Sequence, residues 1–533
     1  MSNPKALPCD EIAIRSSASE PACAARKAWV LVVAVLGSVL AYIDESVVNV
    51  ALPGIEADLR TTLAPMQWVI NAYTLCMSAL LLIGGAAADQ FGRRRMFLIG
   101  VSIFAAASLG CGLAANAPLL IGARIVQGAG AALLIPCSLA LIGAVYDEKE
   151  RGAAIGIWSG AAAIASGAAP MLGGWLVDHS SWRVIFLINP LLAIPTLWIA
   201  LRRVPESRDP NAQSGIDWGG AVLAFAGLGS LVYGLIAASD RGWSDATVTA
   251  SLSAGGLLLG AFVFVEWRSR SPMMPLELFR SRVFSGINLL TLLLYGALSG
   301  AFFFYPFLLI QARGYSATAA GAAYLPFTVI LGVLSRWSGG LVDRFGARWP
   351  LILGPALTAP GLVLLGGGGG PYSAIVLPMT VLALGMTITV APLTTTVLNA
   401  VPEGRTGVAS GINNAVASVG GLLLVAVLGT VALGAFDRSL DRHLADSAAS
   451  PAVREVVQSA RGGFVIPPMP AGLSGEERER ARAIVADSLI ETVQMTLWIA
   501  AGLALASALS AAFTMPGKER AARAPVRAAS PPS

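Results

Sequence analysis

Residues 28–53 read AWVLVVAVLGSVLAYIDESVVNVALP, an apolar run with two acids, Asp44 and Glu45, close to its second end. At about 1.5 Å per residue, Ala28 to Val50 reaches roughly 33 Å, enough to cross a hydrocarbon core of about 30 Å. A carboxylate inside such a helix costs roughly 2.5–3.5 kcal/mol on insertion scales, so acids placed there usually face a watery cavity or a partner charge. The alternative is a helix that ends early and leaves both acids among lipid headgroups. Which holds depends on whether the rest of the chain supplies a cavity and a counter-charge.

Composition points to the membrane. Of 533 residues, 55% are hydrophobic and only 13% charged, with a mean hydropathy of +0.70; soluble domains carry about 25% charged residues. The apolar runs are far longer than the alternating segments of about ten residues that build membrane barrels, so the chain is an all-α integral membrane protein. Its net charge of +5 comes from Arg far more than Lys. These basic residues sit in short loops between apolar runs, which excludes a nucleic-acid partner. Cys9 and Cys23 lie in the polar N-terminal stretch, Cys76, Cys111 and Cys137 in apolar runs, with no CxxC pair. The only histidines are His179 and His443. Neither metal nor cofactor is expected.

Fourteen apolar runs follow one another, at about 28–50, 67–88, 95–115, 118–142, 152–177, 184–201, 216–238, 247–267, 283–310, 318–341, 349–366, 373–397, 408–433 and 489–515. Arginines 93–95, 151, 202, 203, 268, 270, 280, 282, 344, 348 and 405 fall on one side, and the short loops opposite hold only Arg60, Arg183, Arg241 and Arg313. The positive-inside rule then places both termini in the cytoplasm of a cell (plasma or inner) membrane. Residues 1–27 form a cytoplasmic tail, 28–203 a first six-helix half and 216–267 an inserted helix pair. Residues 283–515 form a second half with a long extracellular loop at 434–488, and 516–533 a disordered cytoplasmic tail. A short amphipathic helix is expected at 474–486.

An internal echo supports the two halves. Gly85-Ala-Ala-Ala-Asp89-Gln-Phe-Gly92-Arg93-Arg-Arg95 is answered by Gly339-Gly-Leu-Val-Asp343-Arg344-Phe-Gly346-Ala-Arg348, each after the second helix of its set. The glycines allow a tight turn, and the Asp and Arg residues form a conformational latch on the cytoplasmic side. A positive loop needed only for topology explains the arginines but not the repeated Gly-Asp-Gly spacing.

In the fourth run, Arg124, Gln127, Gly128 and Ala131 share one helix face. That helix runs opposite to the first, and Arg124 and Asp44 each lie about six residues, roughly 9 Å, below the outer end. At matching depth, Arg124 is the expected counter-charge for Asp44 or Glu45, and the three residues are expected to couple protons. Adjacent residues point about 100° apart on a helix, so one acid faces the cavity and the other a neighbour; Asp44 is expected in the cavity. Gly156, Gly160, Gly167, Pro170, Gly173 and Gly174 form a strip for close helix packing where the halves meet. Gln127, Asn288, Tyr295, Phe303, Asn413 and Asn414 are candidates for a substrate cavity.

These residues resemble the fourteen-helix drug:proton antiporter branch of the major facilitator superfamily over roughly residues 28–515. The resemblance rests on Asp44-Glu-Ser-Val-Val-Asn49-Val-Ala-Leu-Pro53, Gln67-Trp68 through Tyr73, the turn at 85–97, the Arg124 segment and the fifth-helix strip. Ser181 through Pro190 and Ser410-Gly-Ile-Asn413-Asn414 add to it, with Ala165 and Ala169 where the strip usually carries glycine. It implies two six-helix halves plus two inserted helices, and a monomer exporting amphipathic drugs or antibiotics in exchange for protons by alternating access. One charge moved through about 120 mV yields roughly 2.8 kcal/mol, about a hundredfold gradient. A proton-coupled uptake symporter is the alternative within the same fold. An intramembrane enzyme would need a nucleophile–base pair or metal cluster that two isolated histidines do not offer.

Overall fold

Helix starts are written into the sequence by side chains that cap them. Asn116 accepts from the Leu119 amide, Asp217 from Gly220, Asp245 from Thr247 and Ser316 from Ala319, each satisfying a donor the first turn cannot use. The computed structural model describes residues 21–146, 148–208, 217–269, 272–338, 341–367, 373–402, 406–447, 449–470 and 472–516. They form helices without strands among the described residues.

The first half comprises α1 (Pro21–Leu59), α2 (Leu63–Phe91), α3 (Arg93–Gly112), α4 (Ala117–Val145), α5 (Glu148–His179) and α6 (Trp182–Arg203). The inserted pair is α7 (Trp218–Arg241) and α8 (Ala246–Arg268). The second half holds α9 (Arg282–Phe307), α10 (Ala317–Ala322), α11 (Leu325–Ser338), α12 (Leu341–Phe345), α13 (Arg348–Gly367), α14 (Ser373–Asn399), α15 (Thr406–Asp446), α16 (Pro451–Ser459) and α17 (Gly475–Thr514). Among the described residues 13 helices are long and apolar enough to cross a membrane, and α2 supplies a fourteenth as one span bent by 49°. The bend falls beside Gly84-Gly85, where a Cβ on Gly84 would overlap the Ala132 carbonyl of α4. The expected fourteen spans are all present.

The loop expected at 434–488 is mostly helix. α15 continues to Asp446, α16 covers Pro451–Ser459, and α17 begins at Gly475 behind a Ser474–Glu477 capping box. The amphipathic segment at 474–486 is therefore the first stretch of the last spanning helix. Hydropathy marks only the apolar part of a helix, and these three helices run beyond it.

The halves touch at the end of the bundle opposite the chain termini, called here the far end. One apolar cluster there joins Val47, Ile55 and Trp182 of the first half to Phe304, Ala317 and Phe464 of the second. The cluster around Phe97, Leu134 and Val145 contains residues of the first half alone. At the far end α5 and α10 approach until a Cβ on Gly174 would overlap the Ala317 carbonyl, and one on Gly321 the Pro170 carbonyl. Asp178 of α5 accepts from the Ala317 and Thr318 amides at 2.9 and 2.7 Å. The inserted helix α7 covers a seam where α2 and α15 meet: Gln67 donates to the Val425 carbonyl at 2.8 Å, and Thr430 to that of Leu235 at 2.5 Å.

The segment between α16 and α17 also crosses the seam. Leu63 N–H donates to the Gly462 carbonyl at 2.9 Å, and Phe464 N–H to Glu56 Oε1 at 3.1 Å. Gly462 takes φ +81°, which favours glycine, and a Cβ on Gly463 would press on the carboxylate end of Glu56. The Phe464 ring is fully buried among Phe304, Phe307 and Phe436, at 5.8, 5.9 and 5.2 Å between centroids.

Candidate functional site

Five polar side chains from four helices converge inside the first half. Asp44 of α1, Ser108 of α3, Gln127 of α4 and Asn189 of α6 are each 0% exposed, and Arg124 of α4 is 1% exposed. Arg124 Nη1 forms an ion pair with Asp44 Oδ2. The same nitrogen donates to Gln127 Oε1 at 2.8 Å, and Nε donates to the Val69 carbonyl at 3.0 Å. Asp44 Oδ1 accepts from Gln127 Nε2 at 2.7 Å and from Asn189 Nδ2 at 3.0 Å. Ser108 Oγ accepts from both of those amides, at 2.6 and 3.1 Å. The guanidinium also lies 4.2 Å from the Tyr73 ring centroid, a favourable cation–π contact.

Close helix approach builds this arrangement. Gly128 meets α2 so tightly that a Cβ would overlap the Tyr73 carbonyl, and Gly100 and Gly130 bring α3 onto α4. Small residues at i+4 and i+6 from Arg124 thus set the distance at which its side chain reaches across.

Of the two acids offered as partners for Arg124, Asp44 makes the ion pair, but the open surface expected of it belongs to Glu45. Asp44 is sealed among donors, whereas Glu45 is exposed. Arg124, Asp44 and Tyr73 are electrostatic neighbours of Glu45, so its open surface faces the protein interior. The rotation of α1 decides this, and two consecutive acids do not encode it. Gln127, expected in a substrate cavity, belongs to the buried network instead.

The other cavity candidates divide. Asn413 donates to Asn288 Oδ1 at 3.2 Å and to Thr291 at 2.8 Å, all three buried between α9 and α15. Phe303 is 1% exposed and packs on Phe304, which makes it core and not wall. Tyr295 is partly exposed and Asn414 exposed. Of the glycine strip, Gly167, Gly173 and Gly174 each face atoms that a Cβ would overlap, and Pro170 presents its carbonyl to Gly321. Gly156 does not pack: nothing lies within 4 Å of its Cβ position.

At the near-end turn, Gly92 takes φ +110°, Arg93 pairs with Asp89 at 2.9 Å, and Gly85 makes only ordinary contacts. Glu206, absent from the sequence reading, receives the Arg94 and Arg95 amides at 3.0 and 3.1 Å. In the echoing turn Gly346 takes φ +72° and Arg344 is exposed. Gly339 and the side chain of Asp343 lie outside the described residues. Ser108 and Asn189 were likewise not singled out for the network. The apolar-run setting of a lone Asn was the only available signal.

Fourteen spans in two halves, with an ion pair buried inside one of them, define a multi-pass membrane protein, and its relatives make it a transporter and not an enzyme. The chain belongs to the Major Facilitator Superfamily, whose family model matches residues 34–425. It is 35% identical over 424 residues to multidrug resistance protein Stp of Mycobacterium tuberculosis, covering 79% of each chain. It is 31% identical over 494 residues to the tetracenomycin C resistance and export protein of Streptomyces glaucescens, covering 91% of each. With the cephamycin export protein CmcT of Amycolatopsis lactamdurans it shares 36% identity over 408 residues, 75% of this chain and 84% of that one. The crystal structure of a bacterial homologue of the human lysosomal transporter Spinster, inward-facing and unoccupied, superposes with a TM-score of 0.65 at 18% identity. That match covers 94% of this chain and 100% of the other.

Proposed function

We propose that this protein exports amphipathic small molecules, drugs or antibiotics, in exchange for protons by alternating access. It acts as a monomer in the cell membrane with both termini cytoplasmic. The observation that carries the reading is the buried Asp44–Arg124 pair beside an open Glu45. A buried ion pair is expensive and invites replacement by apolar residues unless it has work to do. Asp44 uses both oxygens on donors, so a proton reaching it must displace one of them, and Arg124 is the partner that moving would unlock. Glu45 meets the cavity first and hands the site its proton. The names of the relatives, export and resistance proteins for tetracenomycin C and cephamycin, support the substrate class. With the termini in the cytoplasm, the far-end closure corresponds to a state open inward.

The test is the protein in liposomes with an internal pH dye and a panel of cationic and neutral antibiotics, comparing wild type, Asp44→Asn and Glu45→Gln. Substrate-triggered proton movement opposite to the substrate, lost in Glu45→Gln, is expected. Proton movement in the same direction as the substrate, or unchanged flux in both variants, would overturn the reading.

A further inference from the structure

A cavity of about 700 Å³ opens at the far end, away from the Asp44 network, between the turn after α9 and the segment leading into α17. Its volume is that of a site for a drug-sized molecule. Its walls include Ile310, Arg313, Ile466, Pro467, Met469 and Arg482, two guanidinium groups among apolar side chains and no carboxylate among the described residues.

Local backbone builds it. Residues Leu308–Ala312 form a π-helical turn, a wider winding that recurs at functional sites, and Gly314 at φ +70° ends it. Gln311 Oε1 accepts from the Ile466 amide at 3.2 Å, which fixes the opposite wall. Arg313 Nε is buried without an acceptor. A guanidinium stays charged and carries five N–H donors in a planar fork, so the Arg313 side chain on the cavity wall is matched to a carboxylate or phosphate through donors other than the sealed Nε. Arg482 keeps 62% of its side-chain surface exposed and its ion pair with Glu479 is long, at 3.9 Å, so an anionic group in the cavity competes with that carboxylate for it.

We propose that this pocket binds an amphipathic organic anion. Its carboxylate or phosphate group meets Arg313 and Arg482, and its apolar body lies along Ile310, Ile466, Pro467 and Met469. Such an occupant bridges the segment at 466–469 to α9 and α17, and so adds to the far-end closure. The proposal does not depend on the direction of transport or on proton coupling.

The experiment uses the full chain in phosphatidylcholine nanodiscs with the fluorescent probe 11-dansylaminoundecanoate, its methyl ester as the neutral control, and empty nanodiscs as background. Saturable binding of the acid is expected, weakened roughly tenfold or more by Arg313→Gln or Arg482→Gln, as loss of a charge-assisted contact implies. Arg454→Gln, on α16 outside the pocket, leaves it unchanged. Arg482 is exposed, so its variant carries the test even where Arg313→Gln fails to fold. Equal affinity in wild type and Arg482→Gln, or equal binding of acid and ester, overturns the proposal. Repeating the titration with phosphatidylglycerol in the disc separates the sources. Loss of probe binding assigns the pocket to a lipid headgroup, and unchanged binding assigns it to a soluble anion.

Discussion

Asp44 and Arg124, 80 residues apart on helices that run in opposite directions, form an ion pair in which neither side chain exceeds 1% exposure. Removing one partner strands the other charge, a defect worth about 3–5 kcal/mol. Asp44→Asn and Arg124→Gln are each expected to lower the apparent melting temperature of the purified protein, and the double variant to be more stable than either. Fluorescence-detected size exclusion after heating reads all three.

Glu45→Gln gives the opposite pattern. The side chain is exposed and has no ion-pair partner among the described residues, so stability should fall less than in Asp44→Asn or Arg124→Gln. Export by the wild type should quicken as the outer solution is acidified and slow as it is made alkaline, because protons move inward along their gradient. The variant should lose that dependence. A pH profile of substrate efflux from cells or vesicles shows whether it does.

Gly174 and Gly156 lie on one helix with contrasting surroundings. Gly174→Leu drives a side chain into the Ala317 carbonyl of the other half, whereas Gly156 faces open space. Overpacking of about 1–3 kcal/mol shifts a two-state population by roughly 5–150-fold. Spin labels on the far end at positions 180 and 319 should therefore separate in Gly174→Leu. Gly156→Ala should keep the wild-type distance, and the added methyl should stabilise the helix by up to about 1 kcal/mol.

Phe464 fills a socket made by Phe304, Phe307 and Phe436. Phe464→Ala forfeits about 3–5 kcal/mol of packing, and Glu56→Gln weakens the acceptor for its backbone amide. Both should speed amide hydrogen exchange at 462–466 without changing exchange in α3 and α4. Mass spectrometry after brief labelling distinguishes this from global loosening.

The spans and the two halves were legible because hydrocarbon thickness sets run length and a turn repeated. Arg124 was assigned to Asp44 or Glu45 because costly charges at equal depth on antiparallel helices have few other places to go. Choosing between Asp44 and Glu45 required the rotation of α1, which its packing against α4, α5 and α6 decides. Ser108 and Asn189 are ordinary residues until α3 and α6 bring them to one carboxylate. Phe303 read as a wall because an aromatic in a spanning helix looks alike whether it faces a core or a cavity. Glu56 and Phe464 are 408 residues apart, and no local pattern announces their hydrogen bond.

The segment holding Gly462, Gly463 and Phe464 belongs to one half and grips the other on the face opposite the termini. If, as proposed, the termini are cytoplasmic, it is the part of the closure that lies toward the surrounding medium. An inhibitor that clamps it there would arrest the cycle without entering the cell or the cavity. Resistance based on expelling the inhibitor would then not operate, and escape would instead require changes in the glycine pair or the aromatic socket that the transporter needs for itself.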